Sequence, residues 1–256
     1  MIMFMLRSGL SKLENLTHRR ELFLDVQWIK VNPGAVFVGS NNRSILFGGI
    51  GPRHEVRINY EFEITFLPVS KATASQILLS DEYDIASESE WSLAYERNLI
   101  SGNNEVEELA DRIRGSYWSK VCDGRPFLEE RWLMKSSRSW TSGYPSYSQT
   151  RSDQVSDFIR LVKRPPGHLF PVEAPQLPSS SDKSKLLLEE FLISLIIGII
   201  PSFVWAYFNA SEGYISEGWL NLLFGGLFIG IFTVIFWRPR TVSWRVGENC
   251  GKMKPV

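Results

Sequence analysis

The sequence predicts an α+β domain joined to a pair of membrane-spanning α-helices. Three observations carry this: two uncharged apolar runs near the C-terminal end, alternating short strand and helix signatures over about 160 residues, and a proline-rich stretch between them.

The apolar runs cover residues 191–208 and 219–237 and hold no Asp, Glu, Lys or Arg. At 1.5 Å per residue, each can cross a hydrocarbon core of about 30 Å as a helix. The ten residues between them, 209–218, force an antiparallel hairpin. Lys183 and Lys185 precede the first run, and Arg238, Arg240 and Arg245 follow the second. The connecting loop carries Glu212 and Glu217 but no Lys or Arg. The positive-inside bias therefore places both flanks in the cytoplasm and the loop outside, in the cell membrane. The Asn209-Ala210-Ser211 sequon sits too close to the bilayer to be glycosylated. Residues 1–6 are apolar but too short for a signal sequence, and Arg7 follows at once.

Five segments follow: an N-terminal helical segment (1–25), a folded domain (26–163), a Pro/Ser-rich linker (164–185), the two-helix hairpin (186–237) and a basic tail (238–256). Within the first, residues 10–24 read as a helix with Leu13 and Leu16 inward. In the domain, residues 26–31 read as a strand that turns at Asn32-Pro33-Gly34 and resumes over 36–38. Residues 55–66 alternate, with Val56, Ile58, Tyr60, Phe62 and Ile64 on one face, which predicts one long strand. Ser87 and Glu90 form a capping box ahead of Trp91, Leu93 and Ala94. Asn104 and Glu107 repeat that spacing. Val106, Leu109, Ala110 and Ile113 then predict a second helix, with a Glu108–Arg112 pair and Gly115 as its stop. Residues 136–150 show no period and read as irregular. The linker's prolines predict an extended, semi-rigid spacer. In the hairpin, Ser194, Gly198, Ser202 and Ala206 recur every four positions and Gly226 and Gly230 form a GxxxG, which predicts helix packing through small residues. Pro201 predicts a kink in the first helix.

Lys plus Arg and Asp plus Glu number 28 each, so no global charge draws the chain to nucleic acid. Cys122 and Cys250 lack any metal-ligand spacing and read as free thiols. Phe47-Gly48-Gly49-Ile50-Gly51-Pro52 lacks the Lys-Ser/Thr of a phosphate loop and reads as a turn. His18, His54 and His168 are isolated. Glu107/Glu108 and Glu129/Glu130 read as solvated surface, and His18-Arg19-Arg20 as a helix face. No metal, cofactor or catalytic residue is predicted from these patterns.

Several blocks, in order, resemble the formylglycine-generating enzyme (sulfatase-modifying factor) family. Pro33-Gly34-Ala35-Val36-Phe37-Val38-Gly39-Ser40 is similar to the family's Pro-Gly-x-Phe-x-Met-Gly-Ser entry. Gly51-Pro52-Arg53-His54-Glu55-Val56-Arg57-Ile58 resembles its next strand. Pro68-Val69-Ser70 stands where the family turns into a helix, and Ala86-Ser87-Glu88-Ser89-Glu90-Trp91 resembles its Pro-Thr-Glu-Ala-Glu-Trp. Ser137-Arg138-Ser139-Trp140 resembles Gly-Gly-Ser-Trp, and residues 158–162 the closing Gly-Phe-Arg-Leu-Val. The resemblance implies a C-type-lectin-like fold with much irregular structure.

The family's oxidases hold copper between two cysteines, and the resemblance places Ser142 and Tyr147 at those positions. Neither side chain replaces a soft thiolate. The family's calcium loops find no counterpart between residues 76 and 133. The expected function is a non-catalytic binding or scaffolding module with no cofactor. Its surface would comprise Trp140, Tyr144, Tyr147 and Arg151, and its partners the lipid bilayer and a membrane or cytoplasmic protein. The competing reading is a divergent oxidase, or another enzyme using the same groove.

Overall fold

The computed structural model describes residues 26–44, 48–113, 115–128, 134–151, 156–236, 238, 240–248 and 251–256. The expected helix over 10–24, the His18-Arg19-Arg20 cluster, the Glu129/Glu130 pair and Cys250 lie outside them.

The Asn32-Pro33-Gly34 turn lies between β1 (Trp28–Val31) and β2 (Gly34–Val38), as expected. The predicted long strand is two: β3 (His54–Ile58) and β4 (Phe62–Thr65). The alternation is real, since Val56, Ile58, Tyr60, Phe62 and Ile64 are all buried. The chain nevertheless changes sheet at residues 59–61, where the Tyr60 hydroxyl donates to Glu90 Oε1 at 2.7 Å. A period of two records which face is buried and is blind to which sheet buries it.

β5 (Val69–Ser70) leads into α1 (Lys71–Ile77), whose first turn is capped by the Ser70 hydroxyl. After β6 (Tyr83–Ile85), α2 (Glu88–Glu96) opens with both bonds of the expected capping box. Ser87 Oγ accepts from the Glu90 N–H at 3.1 Å, and Glu90 Oε2 accepts from the Ser87 N–H at 2.8 Å. Trp91, Leu93 and Ala94 are buried as predicted.

The second expected helix is a strand, β7 (Val106–Arg112). Asn104 Oδ1 accepts from the Ser142 N–H instead of capping a first turn. Glu107 and Glu108 lie on opposite faces of the strand, and both are buried rather than solvated. Glu108 pairs with Lys71 and Lys135 at 2.9 and 3.0 Å, and not with Arg112. The stretch read as irregular is a β-hairpin, β8 (Met134–Thr141) and β9 (Tyr144–Arg151), in full antiparallel register. Its two-residue turn, Ser142-Gly143, has φ of +52° and +83°, the pair of left-handed residues that matches strand twist. β10 (Phe158–Ile159) and β11 (Leu161–Lys163) close the domain's main run.

Two sheets follow: β1-β4-β11-β6, and β5-β10-β7-β8-β9. A third, β13-β12-β3-β2, draws on the tail, because β12 (Trp244–Val246) runs parallel to β3 and pairs with β13 (Met253–Pro255). Val246 and Met253 enter the main core, so these tail strands are part of the domain. The linker turns at Pro166-Gly167, where the His168 N–H donates to Pro165 O, and it is docked on the domain rather than held off as a spacer. The Cys122 N–H donates to Pro175 O, the Leu177 N–H donates to Lys120 O, and Leu177 is buried in the core.

Beyond the linker run α3 (Lys183–Ile193), a π-helical turn (Ser194–Ile199), α4 (Ile200–Asn209) and α5 (Tyr214–Phe236). Two continuous helices, Lys183–Asn209 and Tyr214–Thr233, are long and apolar enough to cross a membrane. Pro201 was expected to kink the first one; the irregularity lies just before it, where the Ile200 N–H reaches Leu195 O. The missing proline donor is absorbed by this wider turn.

The helices meet on the expected small residues. A Cβ added to Gly198 would lie 2.0 Å from Gly226 O, and one on Gly230 would lie 2.8 Å from Ser194 Cβ. Ser202 Oγ also donates to Leu222 O at 2.9 Å. Gly225, one position away, has open space beside it. Gly226→Leu should therefore separate the helices and lower the melting temperature in detergent, an overpacking cost of about 1–3 kcal/mol or more. Gly225→Leu should melt like the parent, and equal effects at both positions would contradict this packing.

Candidate functional site

Two buried charge centres organise the domain, and one of them floors a cavity. In the first, Glu107 Oε1 accepts from the indole N–H groups of Trp91 at 2.8 Å and Trp140 at 2.6 Å. Arg160 clamps the same carboxylate bidentately, Nε to Oε2 at 2.6 Å and Nη2 to Oε1 at 3.0 Å. Its remaining donors reach the carbonyls of Thr65, Phe66 and Ser101. Arg160 and Glu107 are both fully buried. Such a pair persists in a core because the guanidinium donors and both carboxylate oxygens are engaged.

In the second, Glu88 Oε1 accepts from the Tyr117 hydroxyl at 2.7 Å and from Arg138 Nη2. Burial alone would raise the Glu88 carboxyl, but the Arg138 and Lys120 charges outweigh it and hold the group below its usual range. Burial and the Glu88 charge push the Tyr117 phenol well above its ordinary value. The Arg138 guanidinium lies between two rings, 4.9 Å from the Trp91 centroid and 4.6 Å from that of Tyr147. Behind it, Lys120 Nζ stands 3.6 Å from Asp111 Oδ1, with both residues fully buried.

His54 packs 5.0 Å from the Tyr117 ring, and its Nδ1 lies 2.8 Å from Pro52 O, which assigns the proton to Nδ1. Burial, reinforced by Lys120, lowers its pKa to about 3.

A cavity of about 570 Å³ opens over the second centre, floored by Glu88, Tyr117 and Arg138 and walled by Phe37, Ser92 and Tyr147. Ser40, Asn42 and Arg43 form part of its rim. Arg43 also pairs with Glu190 of α3 at 2.9 Å, and Glu190 lies 3.2 Å from Arg238, which follows α5. One carboxylate thus ties the cavity rim to both long helices.

Of the expected surface residues, Tyr147 lines this cavity. Trp140 is buried, 2% exposed, because its indole N–H is spent on Glu107; it is a core residue, not a contact residue. Tyr144 is 76% exposed beside the hairpin turn, and Arg151 pairs with Met134 at the far end of β9. Ser142 occupies the turn itself, so the two positions assigned to copper ligands do not converge on the cavity. Cys122 is a buried free thiol in the main core, and burial pushes it up to about 12. Glu88, Tyr117 and Arg138 escaped the sequence reading, although Glu88 and Arg138 lie inside blocks quoted for the family resemblance.

Glu107→Ala should cost about 3–5 kcal/mol, because it strands Arg160 as an unpaired buried charge. Thermal melting of the full chain checks this, and a shift within error would refute the ionic core. His54 also makes stability acid-sensitive. Its folded pKa lies below the unfolded 6.5, so the unfolded chain binds the proton first, and stability falls as pH drops from 6.5 towards 3. The slope is at most about 1.4 kcal/mol per pH unit. His54→Asn can keep the bond to Pro52 O, and its melting temperature should fall less than the parent's between pH 7.5 and pH 5.

No family model matches the chain, and no curated protein matches it. Among solved structures, the chain is similar to the "Structure of PvdO from Pseudomonas aeruginosa", at 12% sequence identity and a TM-score of 0.41. The match covers 54% of this chain and 94% of that one.

Proposed function

We propose that this chain is a membrane-anchored binding module that seats a small polar ligand in the cavity beneath Tyr147. The cavity itself supports this reading. Its volume lies in the range of small-ligand sites, and its floor is a neutralised Arg138–Glu88 pair held rigid by ring stacking and hydrogen bonds. A preformed polar floor of no net charge suits a hydrogen-bonding ligand better than a strongly charged one.

The resemblance to formylglycine-generating-enzyme domains is kept for the fold and not for the oxidase. Copper does not fit the donors present: Ser142 and Tyr147 offer no thiolate, and Cys122 does not line the cavity. The two long apolar helices support anchoring, and the Lys and Arg residues flanking them support a domain and tail that face the cytoplasm.

A photo-crosslinking phenylalanine analogue at Tyr147 should give a discrete adduct in intact membranes. The same probe at exposed Tyr144 should not; identical adducts from both, or none from Tyr147, would sink the cavity as a site. The purified chain should also take up no stoichiometric Cu(I). Copper that is lost on Cys122→Ser would restore the oxidase reading.

A further inference from the structure

A second cleft, of about 390 Å³, lies where the linker enters α3 and the chain leaves α5 for β12. Trp118, Asp182, Lys185, Glu189, Arg240 and Trp244 are among its lining residues. The two indoles meet edge to face at 6.3 Å. Among the described residues, neither Lys185 nor Arg240 has an ion-pair partner. Asp182 spends Oδ1 on the Lys185 N–H, as the N-cap of α3.

The position of the cleft decides what can reach it. The exposed apolar surface of α3 starts at Leu187, Leu188 and Phe191, which are 65%, 57% and 60% exposed. Lys185 stands two residues before that surface, and Arg240 lies four residues beyond the end of α5. In a bilayer this is headgroup depth, where tryptophans concentrate and where long cationic side chains extend from helix ends.

The charges then narrow the chemistry. Among the described residues two cations and two carboxylates line the cleft, so both signs are present in balance. A purely anionic headgroup would satisfy Lys185 and Arg240 but face Glu189 unpaired. A choline headgroup carries the right charges but has no ammonium N–H to donate to a carboxylate. A phosphodiester bearing a primary ammonium answers both halves.

We propose that this cleft holds the headgroup of an aminophospholipid, its phosphate against Lys185 and Arg240 and its ammonium against Glu189 and Asp182. Trp118 and Trp244 wall the glycerol side, and the acyl chains run along Leu187, Leu188 and Phe191. The site rests on the membrane-anchored reading above and is independent of the cavity beneath Tyr147. It would fasten the domain to one leaflet through a specific lipid in addition to the two helices.

The full chain, reconstituted in nanodiscs of equal phosphatidylethanolamine, phosphatidylglycerol and phosphatidylcholine, tests this by native mass spectrometry. Retained lipid should be enriched severalfold in phosphatidylethanolamine over both others. The double variant K185Q/R240Q should return the adducts to the bulk ratio, and E189Q should lessen the preference over phosphatidylglycerol. Adducts in the bulk ratio around the parent chain, or phosphatidylglycerol in excess, would overturn the site whatever the variants do. Carbonate extraction separates this failure from failure of the anchor. A chain released by carbonate refutes membrane insertion itself, whereas a retained chain with unselective lipids refutes only the headgroup site.

Discussion

The Glu107 carboxylate is the constraint on which the domain depends. It stands on β7 and receives four hydrogen bonds, from Trp91 of α2, Trp140 of β8 and twice from Arg160 between β10 and β11. Arg160 extends the reach to the end of β4 and to Ser101 through backbone carbonyls. A domain so rich in short strands has little repetitive backbone bonding to fix the relative placement of its elements. Here directional, charge-assisted bonds do that work. The Glu88–Arg138 centre then extends the ordering outward, through Trp91 and Tyr147, to the floor of the cavity.

The same chemistry explains what the sequence disclosed and what it hid. The capping box at Ser87 and Glu90 was legible because its two bonds are local and its spacing is specific. The small-residue stripe of the long helices was legible because close backbone approach admits few residue types. The helix expected over 106–113 failed because two carboxylates there serve partners far away in sequence, and a local pattern does not see them. The β8–β9 hairpin was missed because its strands are mostly polar, Ser above all, without an apolar alternation. Its Ser142-Gly143 turn was the available signal. Of the residues that line the candidate cavity, the sequence reading named Tyr147 but not the ionic floor. Buried Glu and Arg look like surface until their partners are placed.

The domain and the membrane hairpin are also interlocked. The chain crosses the domain as a docked strap, makes two long helices, and returns to add β12 beside β3. Arg164 starts the strap by gripping Glu90, the capping residue of α2, at 2.7 and 2.9 Å. Glu190 joins the cavity rim to both helices. The third sheet is thus completed by chain that has already passed through both helices, and Glu190 and Arg238 keep the Lys183 and Phe236 ends on the domain's side. This arrangement links the cavity to the helix pair through a short path of ion pairs.

Because Leu177 of the strap and Val246 and Met253 of the tail are buried in the main core, ionic core, strap and returning tail should open as one cooperative unit. Native-state hydrogen exchange of the full chain, followed with rising denaturant, tests it directly. The Ala110 N–H bonds to Ala86 O in the core, the Leu177 N–H to Lys120 O in the strap, and the Trp244 N–H to Arg53 O in the tail. The account predicts that all three exchange only through global opening, with one shared dependence on denaturant. Trp244 and Leu177 exchanging at unprotected rates while Ala110 stays protected would contradict it.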